Sequence, residues 1–414
     1  MRWWCVMSAL LALASCTSTV DSVGYNGVGG AAGIRLQPLQ RSRTYPNPFK
    51  DAGKTDAEVA DKIARTWNQL FYGDPGNQAI YVPVGTEQAY IEDTLHMDER
   101  TEGIGLAMMI AVQLDKRTEF DRLWRYAEAV MKHKDGPSRG YFGSWCDTAA
   151  MTKMPCDDPY GEAQILTALI FAHDRWTSTT TVNYEAGALD LLTVMRHKED
   201  ENAGVVEGVT NTFDKVKALP FDLPERAKAG TSRPSIVMPA YYDLWAEATG
   251  GDAFWTRAAG AARDYWKKTA HSKTGLTPVR ASFEGVPVQL YENFQSESYR
   301  AQINMALDWA WAKGEKDEWL VQEADNLLAF FTMKGMGTYA GGYSLDGNEV
   351  IDPMRDQALV VANGVTGMVA SKAGKDAYIN AVFDMATPTG PARYYAGILD
   401  LTALLILSGQ YTIW

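Results

Sequence analysis

Very short connections between long stretches of helical period constrain this chain more than any other feature. About twelve stretches carry apolar residues at a spacing of three and four: 55–71, 102–114, 117–133, 161–176, 183–199, 238–249, 252–270, 297–313, 316–333, 356–372, 374–385 and 392–408. The first opens on a capping box, Thr55 with Glu58, and then sets Val59, Ile63, Trp67, Leu70 and Phe71 on one face. Many neighbours are separated by only a few residues, as at Lys116-Arg117, 177–182, Gly250-Gly251, Gly314-Glu315 and Ala373-Gly374. Connections that short force antiparallel helical hairpins. Longer segments rich in glycine, proline and aromatics, such as 134–160, 200–237 and 272–296, separate the hairpins. Six antiparallel hairpins alternating with longer loops predict an all-α fold, an (α/α)6 toroid whose inner helices carry the functional loops on one rim. A helical solenoid competes, but no repeat of fixed length is visible. No βαβ alternation and no glycine-rich phosphate loop occurs, which argues against nucleotide binding.

The N-terminus reads separately. Arg2 precedes an uncharged apolar stretch over 3–14, then Ser15 and Cys16. A basic start and a short apolar core ending in small residues make an export signal, too short to span a bilayer. Leu13-Ala14-Ser15-Cys16 resembles a bacterial lipobox, with Cys16 as the lipidated residue and the lipid bilayer as a partner. The expected organisation is a signal over 1–15, Cys16 and a Gly/Ser/Thr-rich tether over 16–50, and one catalytic domain over 51–414. Thr17 and Ser18 point to an outer membrane if the source is Gram-negative. Beyond the signal, Cys146 and Cys156 could close a short disulfide loop in an oxidising envelope. The five histidines show no ligand spacing, so neither a metal nor a cofactor is expected. A net charge of -12 argues against nucleic acid and suits a neutral polysaccharide.

Carboxylates at the mouths of inner helices are the chemical resource of such a fold. Cleaving a glycosidic bond takes two: an acid for the leaving oxygen, and a base or nucleophile across the sugar. Glu102 falls in the first turn of a helix that a polar segment, Asp98-Glu99-Arg100-Thr101, leads into. The helix dipole there favours the ionised form. A general acid would need burial, or a neighbouring carboxylate such as Asp98, to raise its pKa.

Several ordered stretches then carry a resemblance. Thr66-Trp67-Asn68-Gln69-Leu70-Phe71-Tyr72-Gly73-Asp74, Tyr81-Val82-Pro83-Val84-Gly85, Arg100-Thr101-Glu102-Gly103, Pro239-Ala240-Tyr241-Tyr242-Asp243-Leu244-Trp245 and Arg393-Tyr394-Tyr395 are similar to glycoside hydrolase family 8. The branch most alike is that of the reducing-end xylose-releasing exo-oligoxylanases. The resemblance runs in order over nearly everything after residue 50. It implies an (α/α)6 fold, cleavage of β-1,4-linked oligosaccharides with inversion, and Glu102 as general acid. The family's base is an aspartate three residues before an arginine. Here Glu297 stands at that place before Arg300, so the resemblance assigns Glu297 as base with one extra methylene.

Other positions depart from the family. Its sugar-gripping aspartate corresponds to Tyr160 in Asp157-Asp158-Pro159-Tyr160-Gly161-Glu162, unless a local shift lets Asp158 substitute. A water-holding tyrosine is replaced by Ile236, and an aspartate by Ala396. The loop that closes one end of the cleft in the exo-acting branch carries a histidine, whereas 352–356 here has none. These departures open two alternatives: a β-glucanase or chitosanase, or a glycan-binding protein with weak turnover. Sugar faces need aromatic platforms. The candidates for substrate contact are Trp145, Asp158, Tyr160, Glu162, Tyr299, Arg300, Tyr394 and Tyr395. A monomer is expected.

Overall fold

The computed structural model describes residues 35–40, 44–147, 152–153, 158–179, 181–223, 230–313 and 317–414. The signal segment, Cys16 and Cys156 lie outside the described residues, as do the side chains of Trp145 and Cys146.

Among the described residues a short helix α1 (Pro48–Asp51) precedes twelve longer ones. These are α2 (Asp56–Tyr72), α3 (Thr101–Gln113), α4 (Arg117–Tyr126), α5 (Pro159–Trp176), α6 (Tyr184–Glu201), α7 (Pro239–Ala248), α8 (Ala253–Thr269), α9 (Tyr299–Asp308), α10 (Glu318–Lys334), α11 (Gln357–Val369), α12 (Lys375–Asp384) and α13 (Arg393–Leu407). They answer one for one to the periodic stretches of the sequence. Turns of π-helix at Ala127–Met131 and Trp309–Lys313 extend α4 and α9.

Side-chain chemistry separates an inner from an outer ring. In α3 every residue except Glu102 is buried, in α11 every residue except Gln357, and in α13 every residue except Tyr395. Helices apolar all round must be covered on all sides. In α2 one face alone is apolar, and the expected capping box at Thr55 and Glu58 starts it. The inner helices touch in a closed circuit, α3 to α5, α7, α9, α11, α13 and back to α3. Outside them lie α4, α6, α8, α10 and α12, each packed on the helix before it. The sixth pair joins chain ends, since α2 packs against α13. This is the (α/α)6 toroid.

Because each outer helix reverses the direction of its inner partner, all six inner helices start at one rim. Every strand lies in a connection entering an inner helix, so the strands decorate that rim. β1 (Tyr81–Val84), β2 (Gln88–Asp93), β3 (Asp98–Arg100), β4 (Trp145–Asp147) and β5 (Thr152–Lys153) form an antiparallel sheet in that order. Two further antiparallel pairs are β6 (Thr231–Ser232) with β7 (Ala281–Ser282), and β8 (Gly342–Tyr343) with β9 (Val350–Asp352).

The opposite rim is plugged. Tyr411 stacks on Trp311 at 5.4 Å, and its hydroxyl meets that of Tyr241 at 3.2 Å. The Trp414 indole donates to Gln113 at 2.8 Å. The packed body also begins earlier than the tether reading expected, at Arg35 rather than 51. Leu36 and Leu39 are buried. The backbone N–H groups of Leu36, Gln37 and Leu39 donate to Glu185, the Ala248 carbonyl and Asp174. Two leucines that hide apolar surface and three satisfied donors are reason enough for this stretch to dock.

Candidate active site

β3 runs straight into α3, so Glu102 is aimed by the sheet register, in which Arg100 pairs with Trp145. The Thr101 hydroxyl donates to the Gly143 carbonyl at 2.5 Å and locks the junction. Two glycines press α5 onto the start of α3. A Cβ at Gly161 would fall 2.5 Å from the Glu102 backbone nitrogen, and one at Gly105 would fall 2.6 Å from the Gly161 carbonyl oxygen. That approach brings Asp158, at the head of α5, beside Glu102. Gly103 makes equal room for Tyr394, whose hydroxyl would stand 2.8 Å from an added Cβ.

Glu102 is 15% exposed and its Oε1 lies 2.7 Å from a guanidinium nitrogen of Arg300. Burial pushes the carboxyl above its ordinary range; Arg300 opposes this, the charge of Asp158 reinforces it, and Arg100 opposes it more weakly. Burial therefore prevails over the arginines and raises the proton affinity of the carboxyl. Arg300 is itself buried and sits over the Tyr160 ring at 4.5 Å.

Glu297 stands on a 3-10 turn, Ser296–Ser298, that leads into α9. Its side chain is 51% exposed and its Oε2 accepts from Arg233 at 3.1 Å. Partial burial would raise its pKa, but Arg233, Arg300 and Arg280 together bring it below the ordinary value. Two carboxyls thus have opposite tendencies, one to keep a proton and one to lose it. That division is what an acid–base pair requires.

The other expected site residues divide. Asp158, Tyr160, Tyr394 and Tyr395 gather around Glu102, whose charge reaches all three tyrosines and which itself feels the charge of Asp158. Tyr394 is buried against Gly103, and Tyr395 is half-buried with its hydroxyl donating to the Ser296 carbonyl at 3.1 Å. Asp158 thus occupies the neighbourhood that the local shift would give it. Glu162 and Tyr299 each bond to the backbone of the frame. Glu162 is buried and accepts the Phe142 N–H at 3.0 Å, while Tyr299 is buried and donates to the Gly341 carbonyl at 2.5 Å. Through these bonds both residues brace rim loops.

Other charged residues complete the site. Arg100 is clamped between Asp93 at 3.0 Å and Asp98 at 2.9 Å, and so delivers a fixed positive charge beside Glu102. Asp98, expected to raise the Glu102 pKa, is engaged by Arg100 instead. Arg233 and Arg280 converge on Asp222, the first donating to its carbonyl at 3.1 Å and the second pairing with its carboxylate. Asp356 caps α11, and burial lifts its carboxyl above the ordinary range beside Tyr395. Arg233 and Arg280 carry no local motif, because Glu297 and Asp222, their respective partners, lie far from them in the chain.

Comparison with known proteins follows the same lines. Residues 86–409 match the model for glycosyl hydrolases family 8. The chain is 34% identical over 382 residues to the reducing-end xylose-releasing exo-oligoxylanase Rex8A of Paenibacillus barcinonensis, covering 90% of this chain and 97% of the relative. The structure of that enzyme with xylose superposes with a TM-score of 0.83 at 33% identity, covering 90% of this chain and 98% of the other. A catalytic-mutant xylanase from Teredinibacter turnerae in complex with xylohexaose is similar with a TM-score of 0.83, 32% identity and coverage of 90% and 98%.

Proposed function

The chain belongs to glycosyl hydrolases family 8, and on that premise we propose that it cleaves β-1,4-linked xylo-oligosaccharides with inversion, Glu102 acting as general acid and Glu297 as base. The observation that carries this reading is the opposed environment of the two carboxyls. Glu102 is enclosed, and burial raises its proton affinity; Glu297 is half exposed, and the arginines facing it lower its own. In the reaction Glu102 protonates the leaving glycosidic oxygen. Glu297 takes a proton from the water that attacks the anomeric carbon from the opposite face.

Incubation with xylotriose to xylohexaose should release shorter products, and NMR of the first product should show the inverted anomer. Glu102→Gln should abolish release. Wild-type protein that is inert on xylan, β-glucan and chitosan oligosaccharides, yet binds one of them, would sink the hydrolase reading. That second reading, glycan binding with weak turnover, is favoured by one observation: both carboxyls are held by arginines. We further propose that Cys16 is lipidated and anchors the protein in the cell envelope. The lipobox-like Leu13-Ala14-Ser15-Cys16 supports this. Cys16→Ser should move the protein from the membrane fraction to the soluble one.

A further inference from the structure

Glu297 has a longer, freer side chain than an aspartate, and a base must be held in place to act. What holds it is a segment of the rim with unusual backbone anchorage. Ser232, Pro234 and Ser235 each present a carbonyl to a buried donor from a neighbouring helix: Tyr265 at 2.9 Å, Trp266 at 2.9 Å and Asn304 at 3.0 Å. Arg233 sits in the middle of this pinned stretch, with its side chain 13% exposed. One end of its guanidinium donates to the Asp222 carbonyl at 3.1 Å and the other to Glu297 at 3.1 Å.

We infer that Arg233 is the positioning residue for the base: fixed by its own backbone and by Asp222, it orients the Glu297 carboxylate and keeps it ionised. The inference rests on the reading of Glu297 as base. The other charged or titratable groups facing Glu297 are Arg300 from α9, Arg280 before β7 and Tyr395 from α13. Arg280 is paired with Asp222 and Arg300 with Glu102, so Arg233 is the arginine whose ion pair is made with Glu297 itself.

The test is the pH profile of kcat/KM on xylohexaose. Its acid limb reports ionisation of the base, its basic limb protonation of the acid. Arg233→Gln should shift the acid limb upward by about one pH unit and leave the basic limb in place. Arg233→Lys, which keeps the charge, should return most of the limb. If both variants keep the wild-type acid limb while kcat or KM falls, Arg233 is merely structural and the inference is overturned. Glu297→Gln separates the two ideas. Full activity in that variant overturns the base reading and the inference with it, whereas an inactive Glu297→Gln beside an unshifted Arg233→Gln overturns the inference alone. A melting curve for each variant confirms that the rates come from folded protein.

Discussion

Glu323 offers the sharpest test of how burial acts in this fold. It projects from α10 into a cavity lined by Gln302, Met305, Leu320, Leu327, Thr366 and Val369. Among the described residues its Oε1 has no hydrogen-bond partner, and neither does the side-chain amide of Gln302, which lines the same cavity. Burial alone pushes its carboxyl from 4.5 up to about 8. A raised carboxyl pKa means that the folded protein binds the proton more tightly than the unfolded chain. Stability must therefore fall as pH climbs from about 4.5 towards 8. At about 1.4 kcal/mol per pH unit, the loss reaches about 3 kcal/mol at pH 7 and about 5 kcal/mol above pH 8. Glu323→Leu removes the titration and adds apolar surface to an apolar wall. Its gain over wild type should be small at pH 5 and grow by several kcal/mol by pH 8.5. Urea unfolding of both proteins at these two pH values measures it. An equal difference at the two pH values would refute the reasoning, because only ionisation makes the gain depend on pH.

Three further outcomes follow from the site and its frame. Gly161→Ala drives a methyl to 2.5 Å from the Glu102 backbone nitrogen; displacing the acid by ~1 Å should lower kcat about a hundredfold, read in initial rates on xylohexaose. Arg300→Met removes the charge that opposes proton retention by Glu102, so the basic limb of the kcat/KM profile should move to higher pH while kcat falls. Leu39→Ala strips a buried side chain from the N-terminal lead-in and should cost about 2 kcal/mol in unfolding experiments with little change in kcat.

Much of the architecture was legible because it is written in local pattern. The Thr55–Glu58 box starts α2 as expected, and the apolar run from Ile104 to Val112 lies wholly inside the inner ring. The strands were not legible: they span two to six residues, with burial set by the rim rather than by sustained alternation. Leu36 and Leu39 escaped notice because two leucines in a polar stretch make no period. Glu102 was readable as a helix-start carboxylate. Its proton affinity depends on Arg300 and Asp158, which α9 and α5 bring in from distant parts of the chain. Glu162 and Tyr299 stand at inner-helix starts, but the backbone groups they bond to are set by three-dimensional packing.

The docking of 35–40 has a mechanical side. Its hydrogen-bond partners sit near the end of α5, the start of α6 and the end of α7, which is the plugged side of the ring. Any force applied through the upstream chain therefore enters at the back of the ring and bears on helix ends, not on the loops that carry Glu102 and Glu297.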